Sequence, residues 1–187
     1  MPVKAEPEAA HSEATLGIGD PAPGFDLPAS LGRRVSRDEF KGRPFVLYLY
    51  PKADTTGCTR EACDFEQVLS ALGGAAGRAG VPVVGLSRDP IKAIDAFAAK
   101  HKLGFPLASD LDGTVVEAYG AWVEKSMYGR TYMGIDRSTF LIDGDGRIAR
   151  VWRKVKVPGH AAEVMQAAAA LAPSPADGST AASKPAQ

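Results

Sequence analysis

Two cysteines five residues apart, Cys58 and Cys63, are the side chains of this 187-residue chain best suited to chemistry. They sit in YPKADTTGCTREACDF, where Pro51 ends an apolar strand pattern, Gly57 permits a tight turn and Cys58 falls at or near the first position of a helix. A thiol attacks as its thiolate, and at an ordinary pKa of about 8.5 only about 3% of it is ionised at pH 7. Bringing such a pKa to about 6 requires roughly 3.4 kcal/mol of preferential stabilisation of the anion. A helix N-terminus supplies about 0.3–1 kcal/mol and at best about 2. A guanidinium ~4 Å away adds up to about 4 kcal/mol before desolvation opposes it. A reactive Cys58 therefore needs a cation as well as a helix start. Full ionisation speeds attack only about 30-fold, so further acceleration must come from donors aimed at the charge developing in the transition state. The Thr55 hydroxyl and the amides around Gly57 and Cys58 are placed to serve. The plain alternative, a small buried hydrophobe at a helix start, leaves the second cysteine and Thr55 without a purpose.

Cys63 obeys a geometric constraint. On an intact helix, residues five apart have Cα atoms about 8.7 Å apart, whereas a disulfide requires less than about 7 Å. Either the two sulfurs never bond, or oxidation melts the first turns of the helix.

The elements that must position these thiols follow from apolar periodicity. Residues 45–50 (FVLYLY) and 81–87 (VPVVGLS) read as buried strands. Between them lies a helix whose inner face is Phe65, Val68, Leu69 and Leu72. Asp89-Pro90 reads as an N-cap and first-position proline for a helix burying Ile91, Ile94, Phe97 and Ala98. Ser36-x-x-Glu39 is a capping box for a short helical turn. Residues 139–143 and 148–152 form a hairpin across Gly-Asp-Gly, and a last helix covers about 161–171. Strands alternating with helices and closed by a hairpin predict an α/β sandwich.

Composition bounds the rest. Charges balance at 22 against 22, so there is no charge-based reason to expect a nucleic-acid partner. No run reaches the roughly 18–20 apolar residues of a membrane span. The opening residues show no secretory or transit pattern, and Asn is absent from the chain, which excludes N-glycosylation. A cytoplasmic protein is the expectation. The predicted organisation is a flexible extension at 1–16, one domain at 17–172, and a disordered tail at 173–187, where twelve of fifteen residues are Pro, Gly, Ser, Thr or Ala.

The stretch P-x-x-x-T-x-x-C, here Pro51, Thr55 and Cys58, resembles the active site of peroxiredoxins. With C-T-x-E-x-C following, it is similar to the bacterioferritin comigratory protein or PrxQ subfamily. GDPAPGFDL (19–27) and YGAWVEKSMYGRTYMGIDRSTFLID (119–143) extend the likeness over about 17–171. The resemblance implies a thioredoxin-like fold with a central mixed sheet flanked by helices. It implies that Cys58 is the peroxidatic residue, Thr55 its hydroxyl partner and Pro51 a shield over the pocket. Arg137 matches the active-site arginine, the missing cation of the charge argument, and Glu61 a position that orients it. It implies reduction of hydrogen peroxide and alkyl hydroperoxides through a Cys58 sulfenic acid, which Cys63 resolves as an intramolecular disulfide. Thioredoxin or a glutaredoxin-type dithiol then regenerates a monomeric enzyme without cofactor or metal. A peroxide sensor or thiol relay on the same fold would use the same residues. The chain departs from the subfamily at Thr56, where T-P-G-C is usual, and losing that proline should loosen the turn.

Other signals are weaker. Asp143-Gly-Asp-Gly146 lacks the glycine and bidentate glutamate of a calcium loop. Two cysteines and three scattered histidines do not make a zinc site. A Cys-His hydrolase would need His101 or His160 beside Cys58. Trp122 and Tyr128 fit core or rim packing, with a place at the pocket edge as the other reading.

Overall fold

A computed structural model describes residues 16–72 and 80–171. The extension expected at 1–16 and the tail expected at 173–187 lie, apart from Leu16, outside the described residues. The elements run β1 (Asp26–Ala29), β2 (Arg33–Ser36), a 3-10 turn (Arg37–Phe40), β3 (Phe45–Leu49), α1 (Thr56–Ala71), β4 (Val83–Ser87), α2 (Ile91–His101), β5 (Leu107–Ser109), α3 (Thr114–Ala118), β6 (Trp122–Met127), β7 (Arg130–Ile135), β8 (Ser138–Ile142), β9 (Ile148–Trp152) and α4 (His160–Leu171). Seven strands form one mixed sheet in the order β2-β1-β5-β4-β3-β8-β9, and β6-β7 is a separate hairpin. This is the expected α/β sandwich.

The continuous apolar run of β3 is explained by burial on both faces. Val46 and Tyr48 point into a core shared with α1, α2 and α4, through Phe65, Leu69, Phe97 and Val164. Phe45, Leu47 and Leu49 point into a second core with Phe40, Val115 and Tyr119 on the opposite face. The side-chain period of two sends alternate residues to opposite layers.

The sheet register decides which loops meet. β3 is parallel to β4, pairing Leu49 with Leu86, and antiparallel to β8, pairing Leu49 with Ser138. The chain leaving β3, the chain leaving β4 and the residues just before β8 therefore share one end of the sheet. Those segments hold Pro51–Cys58, Arg88–Asp89 and Arg137.

Local signals were mostly realised. Glu39 Oε1 accepts from the Ser36 amide at 2.8 Å, completing the capping box. The Gly-Asp-Gly hairpin turn is held by Asp143 Oδ1, which accepts from the amides of Asp145 and Arg147 at 3.0 and 2.8 Å. One expectation shifts by a residue: α2 begins at Ile91 with Pro90 as its N-cap. The Asp89 carboxylate does not cap that helix, because Oδ2 accepts from the Ala53 amide at 2.7 Å and the Ser87 hydroxyl at 2.9 Å. It ties the loop after β3 to the end of β4. No helix among the described residues is long and apolar enough to cross a membrane.

Candidate active site

The loop 51–55 carries the chain from β3 into α1. Its sharp bend falls at Asp54, whose φ of +59° lies in the left-handed region. Gly57, expected to make the turn, is instead an ordinary residue of the first turn of α1. Its lack of a side chain matters for another reason: a Cβ there would come 3.2 Å from Arg137 Nη2. Gly57 leaves room for the guanidinium.

Thr55 is the N-cap of α1, which places Cys58 at the third helical position. Helix geometry leaves the amides of Thr56, Gly57 and Cys58 without intrahelical acceptors. The Thr55 hydroxyl does not cap the helix; it donates to the Lys52 carbonyl at 3.0 Å. As a donor to a reacting oxygen it is therefore already committed, a difference from the expectation, while its lone pairs stay open to accept a hydroperoxide proton.

Cys58 is buried, and its Sγ accepts from Arg137 Nη2 at 3.3 Å. Arg137 reaches it from 79 residues downstream because β8 begins beside the end of β3. The second terminal nitrogen of the guanidinium, Nη1, donates to Glu61 Oε2. Glu61 is one helical turn beyond Cys58 and is itself buried, with Oε1 lacking any partner among the described residues. The arginine thus bridges a thiol and a carboxylate on one helix face.

Burial pushes Glu61 up to about 7, and the adjacent guanidinium opposes this only in part. Between its ordinary 4.5 and that value, the folded protein holds more protons at Glu61 than the unfolded chain. Stability therefore falls as pH rises through this window. Glu61→Gln is expected to remove that dependence, on the order of 1–3 kcal/mol across the window. Urea denaturation at several pH values from about 4.5 to about 8 checks it, and a variant as pH-sensitive as wild type contradicts it.

Cys63 lies on the same intact helix, half-buried and without a disulfide. Burial, and then the charges of Asp64 and Glu66, push its thiol up. The two cysteines are therefore electrostatically unlike: one faces a guanidinium, the other two carboxylates. Neither histidine of the alternative hydrolase reading bonds Cys58. His101 meets Asp54 at 3.3 Å and His160 meets Thr139 Oγ1 at 2.8 Å. Among the described residues no cluster of three or more His, Cys, Asp and Glu could hold a metal ion.

Removing the cation should be costly. Arg137→Ala is expected to slow peroxide oxidation of Cys58 by roughly 10²–10³-fold, the usual loss for one preorganised donor at a developing charge. Oxidation of Cys58 at close to the wild-type rate, followed by dimedone trapping, contradicts the role of the guanidinium.

Pro51 and Thr55 also edge a groove that Trp122 lines, whereas Tyr128 stands at the tip of the β6-β7 hairpin, outside the groove and 97% exposed. Sequence reasoning missed the space made by Gly57, the bend at Asp54 and the anchor at Asp89. Only Asp89 offered a signal, since it directly follows a strand ending at the same sheet edge.

A thioredoxin-like fold with a buried helix-start thiol under a guanidinium defines a cysteine peroxidase of the peroxiredoxin class. The chain belongs to the AhpC/TSA family, whose pattern it matches over residues 18–151. Within it, a Coxiella burnetii protein classed as a bcp peroxiredoxin is 50% identical over 151 residues, covering 81% of this chain and 97% of that protein. Peroxiredoxin Bcp of Escherichia coli is 43% identical over 145 residues, covering 78% and 90%. Among solved structures, a Xanthomonas campestris peroxiredoxin Q superposes with a TM-score of 0.75 at 40% identity, covering 87% of this chain and all (100%) of that one. The Xanthomonas campestris bacterioferritin comigratory protein, described for its alkyl peroxide reduction activity, superposes at 0.73 with 40% identity, covering 80% and 92%. The chain is a thiol-dependent peroxidase, an oxidoreductase of the Bcp/PrxQ type.

Proposed function

We propose that the enzyme reduces hydrogen peroxide and alkyl hydroperoxides by an intramolecular dithiol cycle, with Cys58 the peroxidatic and Cys63 the resolving thiol. The observation that carries this reading is Cys58 Sγ at 3.3 Å from Arg137 Nη2, with a second, half-buried thiol on the same helix. The Cys58 thiolate attacks the terminal peroxide oxygen, forming an S–O bond as the O–O bond breaks. The leaving alkoxide or hydroxide takes a proton to become alcohol or water, and Cys58 is left as a sulfenic acid. The helix start then opens, the Cys63 sulfur displaces water from that acid, and a disulfide forms. Thioredoxin, or a similar dithiol protein, donates two electrons and two protons to restore both thiols.

Pro51 shields the pocket, Thr55 accepts the hydroperoxide proton, and Glu61 holds the guanidinium in place. Both reacting sulfurs belong to one chain, so the cycle needs no second subunit, and a cytoplasmic monomer suits a cycle that depends on a reducing dithiol pool. The Xanthomonas relative described for alkyl peroxide reduction supports the organic substrates.

The test is peroxide-dependent NADPH oxidation through thioredoxin reductase and thioredoxin, with a parallel glutaredoxin arm and intact-mass measurement after one equivalent of peroxide. Turnover that requires thioredoxin, and a product lighter by two hydrogens, is expected. Peroxide consumption that stops at a stable sulfenic acid, with no disulfide, overturns the cycle.

A further inference from the structure

Hydrogen peroxide needs room for little more than a water molecule, yet Pro51 and Thr55 open onto a groove of about 530 Å³. That is the size of a site for an organic ligand. Much of its apolar lining comes from Trp122, Met127, Tyr132 and Met133 of the β6-β7 hairpin. Its charged groups are Lys52, Arg88 and Lys125 against the single carboxylate of Asp89. Asp89 is already satisfied by the Ala53 amide and the Ser87 hydroxyl. Lys125 Nζ is turned onto the Ile135 carbonyl at 2.5 Å.

Arg88 is different. Its guanidinium lies over the Trp122 ring at 4.3 Å, and Nη2 donates to the Asp112 carbonyl at 3.2 Å. Gly113 makes that position available, since a Cβ there would come 2.6 Å from Arg88 Cζ. The side chain is thus held in place, half-buried, yet among the described residues no carboxylate lies within 4.0 Å of it. An arginine held over an aromatic ring, with donors to spare and only the more distant charge of Asp112 to balance it, is suited to a ligand anion.

We propose that Arg88 is a specificity-determining residue that recognises the carboxylate of a carboxylate-bearing alkyl hydroperoxide. The alkyl chain lies along Trp122 and Met133, and the hydroperoxide end reaches Thr55 and Cys58. This rests on the peroxidase reading and narrows its organic substrates to amphipathic, anionic ones.

The test compares kcat/KM for a straight-chain hydroperoxy acid, its methyl ester and hydrogen peroxide, in wild type and Arg88→Gln. The ester keeps the chain and removes only the charge. Wild type is expected to favour the acid over the ester by roughly tenfold, a ratio that falls as salt screens the contact. In Arg88→Gln the ratio should approach one. The salt dependence is read in wild type alone, so it stands even if the variant folds poorly. Equal use of acid and ester by wild type, or a ratio that survives in Arg88→Gln, overturns the proposal. Failure of wild type to consume any of the three substrates overturns the peroxidase reading instead.

Discussion

Cys58→Ser is expected to lose peroxide turnover by at least about a thousandfold, more than 4 kcal/mol of transition-state stabilisation. The substitution preserves size and leaves the Arg137–Glu61 pair in place, so the fold and the charge field should remain. What disappears is the nucleophile of the proposed cycle, because a serine hydroxyl is hardly ionised near neutral pH even beside a guanidinium. Cys63 cannot stand in for it. It lacks the guanidinium that faces Cys58, and burial together with Asp64 and Glu66 keeps it protonated. The measurement is peroxide consumption in the thioredoxin-coupled assay, with thiol titration confirming one remaining cysteine. Turnover above about one per cent of wild type would remove Cys58 from the centre of the mechanism.

Local features of this site were legible in the sequence, and distant ones were not. The apolar run of β3, the helix after it and the two cysteines lie within one stretch, and their spacing already implied that the helix must open before the sulfurs could meet. The requirement for a cation was also readable, as an energy gap that the helix terminus cannot fill. Which cation fills it depends on the pairing of Leu49 with Ser138, a long-range register that no local pattern reports. Only the resemblance pointed to Arg137. Residues defined by space or by loop geometry were harder still. Gly57 looked like a turn glycine because glycine usually supplies unusual φ values, yet the positive φ belongs to Asp54 and Gly57 supplies clearance for a guanidinium. Asp89 looked like a helix cap because Asp-Pro often is one, but the Ala53 amide at 2.7 Å competes for its carboxylate and wins. The loop that lacks the usual proline at Thr56 is tied by this anchor and by Asp54, whose carboxylate meets Lys100 Nζ at 2.9 Å.

Cys63→Ser is expected to retain the first peroxide equivalent and lose sustained thioredoxin-linked turnover. In the proposed cycle the attack on peroxide uses Cys58, Arg137 and the start of α1, and the Arg137 guanidinium bonds Cys58 and Glu61, not the Cys63 thiol. A burst of one sulfenic acid per chain should therefore form at close to the wild-type rate, measurable by dimedone trapping. Resolution is another matter. With both residues on one helix, their Cα atoms stand about 8.7 Å apart by ideal geometry, beyond disulfide reach. The first turns must unwind, releasing Cys58 from Arg137 and Glu61 from its buried pairing. Oxidation itself favours that release: once the sulfur is held in a neutral sulfenic acid, the guanidinium loses one of the two partners it bridges. Once Cys63 is gone, the opened helix has no sulfur to capture the acid. The enzyme then stalls, and with excess peroxide it proceeds to the sulfinic form. Normal thioredoxin-linked cycling by Cys63→Ser would mean that the reductant attacks the sulfenic acid directly. In that case the helix need not open, and a one-cysteine scheme would replace the dithiol cycle.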